Sequence, residues 1–173
     1  MKYVVLIVLF SVLSCKNEQK APLVADAELK SPKVTELEIF DYAGLEPLLN
    51  KKDGKIHVIN FWATWCAPCV KELPFFEKLN KTYADRDVEV LLVSLDFPKQ
   101  YDSKLKPFIE DKKLKSKVVA LNDTDANYWI PKISEDWTGA IPATLIYNKD
   151  KRQFYEQPFN YEELETQIKQ FLK

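Results

Sequence analysis

The chain has 173 residues, with 25 Lys and Arg against 26 Asp and Glu, a formal net charge of -1, and 46% hydrophobic residues. That balance supplies no basic excess and no cationic stripe, which argues against a nucleic-acid partner. Aromatic residues make up 13% of the chain, enough to fill one core in the about 140 residues that follow a polar leader, so a single domain is expected.

Residues 1–14 carry a lone Lys2 and then an apolar run from Val4 to Leu13, the pattern of an export signal. The run is shorter than the about 20 residues that a membrane-spanning helix needs. Ser14 directly before Cys15, with Val12 three positions before that cysteine, resembles the lipobox of bacterial lipoproteins. There the cysteine is acylated and becomes the first residue of the mature chain; an ordinary signal peptide is the alternative. The resemblance implies that Cys15 carries lipid and holds the protein to a membrane, leaving Cys66 and Cys69 to each other. Export would place the domain where disulfides persist, and loss of Lys2 would take the net charge from -1 to -2. Residues 15–34 are polar, contain prolines and lack apolar periodicity, so they read as a lipidated tether. A flexible coil of about 19 residues reaches roughly 25 Å. Residues 35–173 form the expected domain.

Within it, residues 36–40 predict an edge strand, and residues 56–61 and 88–95 predict buried strands. Between the latter two, Cys69, Leu73, Phe76, Leu79 and Tyr83 recur at spacings of three and four, which predicts a helix. Strand, helix and strand with short joins imply a right-handed crossover and parallel pairing. A helical pattern at 105–112, a short strand at 118–121 and a short helix at 125–129 follow. Two further strands, 143–147 and 153–156, flank the polar turn "NKDKR". A last helix over 161–172 begins at Asn160, with Glu163 placed for a capping box, and should bury Leu164, Ile168, Phe171 and Leu172. The expected fold is therefore α/β: a central mixed sheet flanked by helices on both faces, with an N-terminal extension and an αβα-like insert.

The stretch "FWATWCAPCVKELP" places Cys66 and Cys69 at the predicted helix start. A structural staple is one reading, but a disulfide across so short a loop removes little unfolded-chain entropy, about 2 kcal/mol. A zinc site is another, but it needs about four ligands. Besides the two thiols there is one histidine, His57, in an upstream strand, where it reads as an ordinary strand residue. The redox reading fits the local physics better. At a helix N-terminus, unpaired N-H groups and the dipole favour a thiolate, the attacking species. Pro68 falls in the first turn, where its missing N-H costs nothing. Cys66 is then the nucleophile and Cys69, one turn in on the apolar side, the resolving thiol.

"FWATWCAPC" with Pro74 five residues on, and "GAIP" before a strand some 70 residues later, resembles the thioredoxin superfamily. The likeness is strongest to the membrane-tethered TlpA/ResA/CcmG type of thiol-disulfide oxidoreductase, with Trp65, Cys66, Pro68, Cys69, Glu72 and Pro74 matching W-C-x-P-C-x-x-E-x-P. The resemblance implies a thioredoxin-like fold and dithiol-disulfide exchange without a bound cofactor or metal. It also implies a disulfide-bearing protein substrate contacted by Trp65, Pro68, Ile141 and Pro142. The Ile141-Pro142 bond would be cis, with the Ile141 main chain pairing with substrate; a trans loop proline is the alternative. Cytosolic thioredoxins carry a buried aspartate where this chain has Asn60, which cannot take a proton. Glu72 is either a solvated helix residue or, as the family match favours, a partly buried acid that relays the proton of Cys69. With an acid near the pair and no cation in Ala67-Pro68, a reductant is expected. Reduction outside the cytosol calls for a membrane protein that resupplies electrons. Apocytochrome c is the substrate the resemblance suggests, and a monomer is expected.

Two rivals remain. A peroxidase of the peroxiredoxin kind needs P-x-x-x-T-x-x-C, but Ala63 stands three residues before Cys66. A non-catalytic adaptor could display aromatics such as Trp129 and Trp137.

Overall fold

The computed structural model describes residues 36–172. The proposed signal segment, the tether and Cys15 lie outside the described residues. Strand β2, Ile56–Trp62, is buried along its whole length and sets the architecture. Successive side chains of a strand point to opposite faces. Ile56, Val58 and Trp62 enter one apolar cluster, and Ile59 and Phe61 enter another on the far side of the sheet.

The first cluster is closed by helix α2, Ala67–Thr82, and helix α5, Tyr161–Lys169. The second is closed by α1, Tyr42–Leu45, and α4, Ala126–Ile133. The sheet contains β1 Glu38–Phe40, β3 Val88–Ser94, β4 Lys117–Leu121, β5 Ala143–Tyr147 and β6 Arg152–Tyr155 as well as β2, in the order β1-β4-β3-β2-β5-β6. β1 to β4, β4 to β3 and β3 to β2 are parallel; β5 and β6 are antiparallel additions. This is the mixed sheet expected of a thioredoxin-like fold.

The structure lengthens or trims several predicted elements. α3, Lys106–Lys112, is preceded by a turn of π-helix at Tyr101–Leu105, which buries Tyr101 and Leu105 against the first cluster. α4 runs through Pro131, four residues past the predicted end. The carbonyl that Pro131 frees belongs to exposed Asn127, where water can take the bond. α5 ends at Lys169, and Leu172 is only partly buried, because Phe171 and Leu172 turn back to donate to the Ile168 carbonyl. Its capping box is as predicted: Asn160 and Glu163 exchange side-chain and backbone bonds. α1 has no counterpart in the sequence reading. Asp41 caps it by accepting from the Gly44 N-H, a signal present in the sequence but too short to show periodicity.

His57 is buried on the α1/α4 side, stacked on Tyr147 with ring centroids 4.9 Å apart, and its Nε2 lies 2.8 Å from Asp53 Oδ1. Its Nδ1 faces Glu89, which also pairs with Lys51 and Lys55. These two ammonium groups offset the Glu89 carboxylate charge. Trp129 and Trp137 are both buried, packed edge to face at 5.5 Å, so neither is displayed as the adaptor reading requires.

Candidate active site

Cys66 is the N-cap of α2, with extended backbone, and the Cys69 N-H donates to its Sγ at 3.3 Å. The chain turns here because Thr64 and Trp65 leave the strand and Pro68 pre-sets the first helical turn. Cys66 and Cys69 are joined by a disulfide with Cα atoms 5.3 Å apart. Cys66 is 6% exposed and Cys69 fully buried, so the two sulfurs differ in access. A sulfur that can be reached and a second behind it are the geometry that exchange needs.

The Ile141-Pro142 peptide bond is cis, and the Ile141 carbonyl oxygen lies 3.7 Å from Cys66 Sγ. Ile141 is partly exposed and Pro142 buried; Pro68 is exposed, and Trp65 is 53% exposed. The loop that delivers Ile141 is anchored at Ala140, through both its carbonyl and its N-H. Trp137 Nε1 donates to the Ala140 carbonyl at 2.8 Å, and the Ala140 N-H donates to Glu156 Oε1 at 2.9 Å.

Glu72 is not partly buried but 1% exposed, on the same inward face as Cys69, Leu73 and Phe76. Its Oε1 accepts from Asn60 Nδ2 at 2.8 Å, and its Oε2 accepts from the Phe159 N-H at 2.8 Å. Burial pushes the Glu72 carboxyl up to about 7, and the two hydrogen bonds pull it back only in part. Asn60 also donates to Thr144 Oγ1 at 3.2 Å, its directly paired neighbour on β5, while its own Oδ1 is buried without a partner. Asn60 does more here than replace an acid: it holds one. The Phe159 N-H, just before the α5 cap, was not legible as part of this site.

A second buried carboxylate was also missed. Asp96, 2% exposed, accepts from the Thr64 N-H at 3.0 Å and from Ser94 Oγ at 2.9 Å, and the Thr64 hydroxyl donates to it as well. An acid directly after a buried strand was the available signal, but Thr64 as its partner lies 32 residues away.

A thioredoxin-like sheet carrying a Cys-x-x-Cys disulfide at a helix tip, against a cis-proline loop, defines a thiol-disulfide oxidoreductase. The chain belongs to the AhpC/TSA family, whose model matches residues 19–152, and its relatives place it with the TlpA/ResA/CcmG type. Thiol-disulfide oxidoreductase ResA from Bacillus thuringiensis subsp. konkukian is 30% identical over 135 residues, covering 78% of this chain and 72% of that protein. The crystal structure of StoA from Bacillus subtilis is similar with a TM-score of 0.54 at 26% identity, covering 69% of this chain and 86% of StoA. A DsbF homologue from Corynebacterium diphtheriae shares the fold, with a TM-score of 0.56 at 18% identity, over 68% of this chain and 72% of that one.

Proposed function

We propose that this protein reduces disulfides in exported proteins outside the cytosol, with Cys66 as nucleophile, Cys69 as resolving thiol and Glu72 as proton relay. The observation that carries the reading is the Cys66-Cys69 disulfide at the α2 tip with a buried Glu72 one turn further on. In the dithiol form the Cys66 thiolate attacks one sulfur of a substrate disulfide, forming a mixed disulfide, and the other substrate sulfur leaves as a thiolate that takes up a proton. Glu72 accepts the Cys69 proton. The Cys69 thiolate then attacks Cys66 Sγ, the internal disulfide closes, and the second substrate sulfur departs as a thiolate that takes up a proton. Two electrons pass to substrate, and a membrane dithiol protein must return them.

Support for reduction rather than oxidation comes from the surroundings of the pair: Ala67 and Pro68 bring no cation to Cys66, and the neighbouring acid is an added negative charge. Support for an extracytoplasmic place comes from the apolar segment before Cys15, read as a lipoprotein signal. Among the described residues no helix is long and apolar enough to cross a membrane. Ile141 would offer its main chain to an extended substrate segment, with Trp65 and Pro68 at the rim and the buried Pro142 holding Ile141 from behind. Apocytochrome c is the target that the family resemblance suggests. A peroxidase finds no support, since Ala63 occupies the place of the required threonine, and the Thr64 hydroxyl is held by Asp96.

Trapping tests the reading. A Cys69→Ser variant should accumulate substrate proteins as mixed disulfides at Cys66, identifiable by mass spectrometry, and Cys66→Ser should trap none. Equal capture by both variants would refute it.

A further inference from the structure

Resting on the exchange reading above, we propose that Phe97 and Trp65 form a preset aromatic platform that selects polypeptides with an apolar side chain next to the disulfide cysteine. Both rings are largely in solvent, Trp65 53% and Phe97 60% exposed, and neither belongs to either apolar core cluster. They nevertheless lie nearly parallel, with centroids 6.1 Å apart and 20° between planes. Folding gains little from two such rings left in water, whereas a ligand's apolar side chain would gain by covering them.

The pair is held by its sequence neighbours. Thr64 precedes Trp65, and Asp96 precedes Phe97. The Asp96 carboxylate, 2% exposed, takes the Thr64 N-H at 3.0 Å and the Thr64 hydroxyl, while the Asp96 N-H donates to Ser94 Oγ at 3.1 Å. The Leu95 N-H donates to the Trp62 carbonyl at 2.7 Å. The exits of β2 and β3 are thus riveted together, and residues 65 and 97 emerge side by side without paying to find each other on binding. Asp96 is a positioning residue.

The place of the platform names its occupant. Trp65 is covalently next to Cys66, so a substrate sulfur that reaches Cys66 brings its own sequence neighbours over these rings. Cys66 is only 6% exposed, so the substrate must press onto this rim to reach it. A flexible or unfolded segment with Phe, Leu or Ile beside its cysteine covers both rings; one with serine in that place covers neither.

The test compares two synthetic disulfide-bearing peptides that differ only in whether Leu or Ser flanks the cysteine, reduced by the dithiol protein. The wild-type kcat/KM should favour the leucine peptide about tenfold. Phe97→Ser should bring that ratio to within about twofold of unity, and Phe97→Leu, which keeps an apolar surface, should retain most of it. A wild-type ratio near one, or a ratio unchanged in Phe97→Ser, would overturn the proposal. If wild type reduces neither peptide, the exchange reading itself fails and this proposal falls with it.

Discussion

The Asn60 amide on β2 donates to the Glu72 carboxylate on α2 at 2.8 Å inside the protein, one helical turn from Cys69. Asn60 points there because it alternates with Val58 and Trp62 on the face that α2 covers. The bond ties α2 to the sheet through a titratable group.

Glu72→Gln should stabilise the protein at pH 8. The Glu72 carboxyl, raised by burial from 4.5 to about 7, binds more protons folded than unfolded between those values. Its contribution to stability is full below pH 4.5 and is lost as pH rises through about 7, a change of roughly 3 kcal/mol. A glutamine removes that slope and fills the same volume without a buried charge. Urea unfolding at pH 5 and pH 8 should show the parent losing stability between the two and the variant holding it. In the same variant, resolution of the mixed disulfide should slow at least about tenfold, as loss of a proton acceptor predicts.

Asn60→Asp places a second carboxyl against Glu72. The two cannot both ionise cheaply in a buried site, so they should share a proton and titrate as a pair. Stability at pH 8 should fall by about 2 kcal/mol or more, with a much smaller loss at pH 5, measured by the same denaturation. Equal losses at both values would mean that the amide serves packing alone.

Gly139 has φ +94, and a Cβ there would lie 3.1 Å from Ile130 Cδ1. Gly139→Ala should therefore cost about 1–2 kcal/mol, from backbone strain and crowding together. Because Gly139 sits two residues before Ile141, exchange at Cys66 should also slow. Thermal unfolding and the rate of disulfide reduction report the two effects.

Asn160→Ala removes the side-chain half of the α5 capping box, the Oδ1 that accepts from the Glu163 N-H, while the residue-160 N-H can still donate to Glu163. The variant should lose about 1 kcal/mol of stability in urea unfolding. Its neighbour Phe159 keeps its N-H on Glu72 through the main chain. The pH dependence ascribed to Glu72 should therefore persist in this variant, displaced downward as a whole.

Much of this protein could be read without coordinates, because the relevant signals are local. Unbroken apolar runs marked β2 and β3, spacings of three and four marked α2, and Asn160 with Glu163 marked the start of α5. Two cysteines at a helix start pointed to thiol-disulfide exchange through the dipole and the short loop. Element ends were less legible where the deciding bond lies elsewhere: α4 passes Pro131 because an exposed carbonyl can turn to water, and α5 stops where the chain folds back on Ile168.

What the chain alone determined, then, was the pattern of strands and helices and the placing of two cysteines at a helix start, since each depends on residues a few positions apart. Only the tertiary structure decided how far Glu72 is buried, that Asn60 and the Phe159 N-H hold it, and that Thr64 meets Asp96 and brings Trp65 beside Phe97. Periodicity tells which face of an element a side chain occupies. What stands opposite is chosen by strand order and helix packing, which join residues as far apart as Glu72 and Phe159, separated by 87 positions.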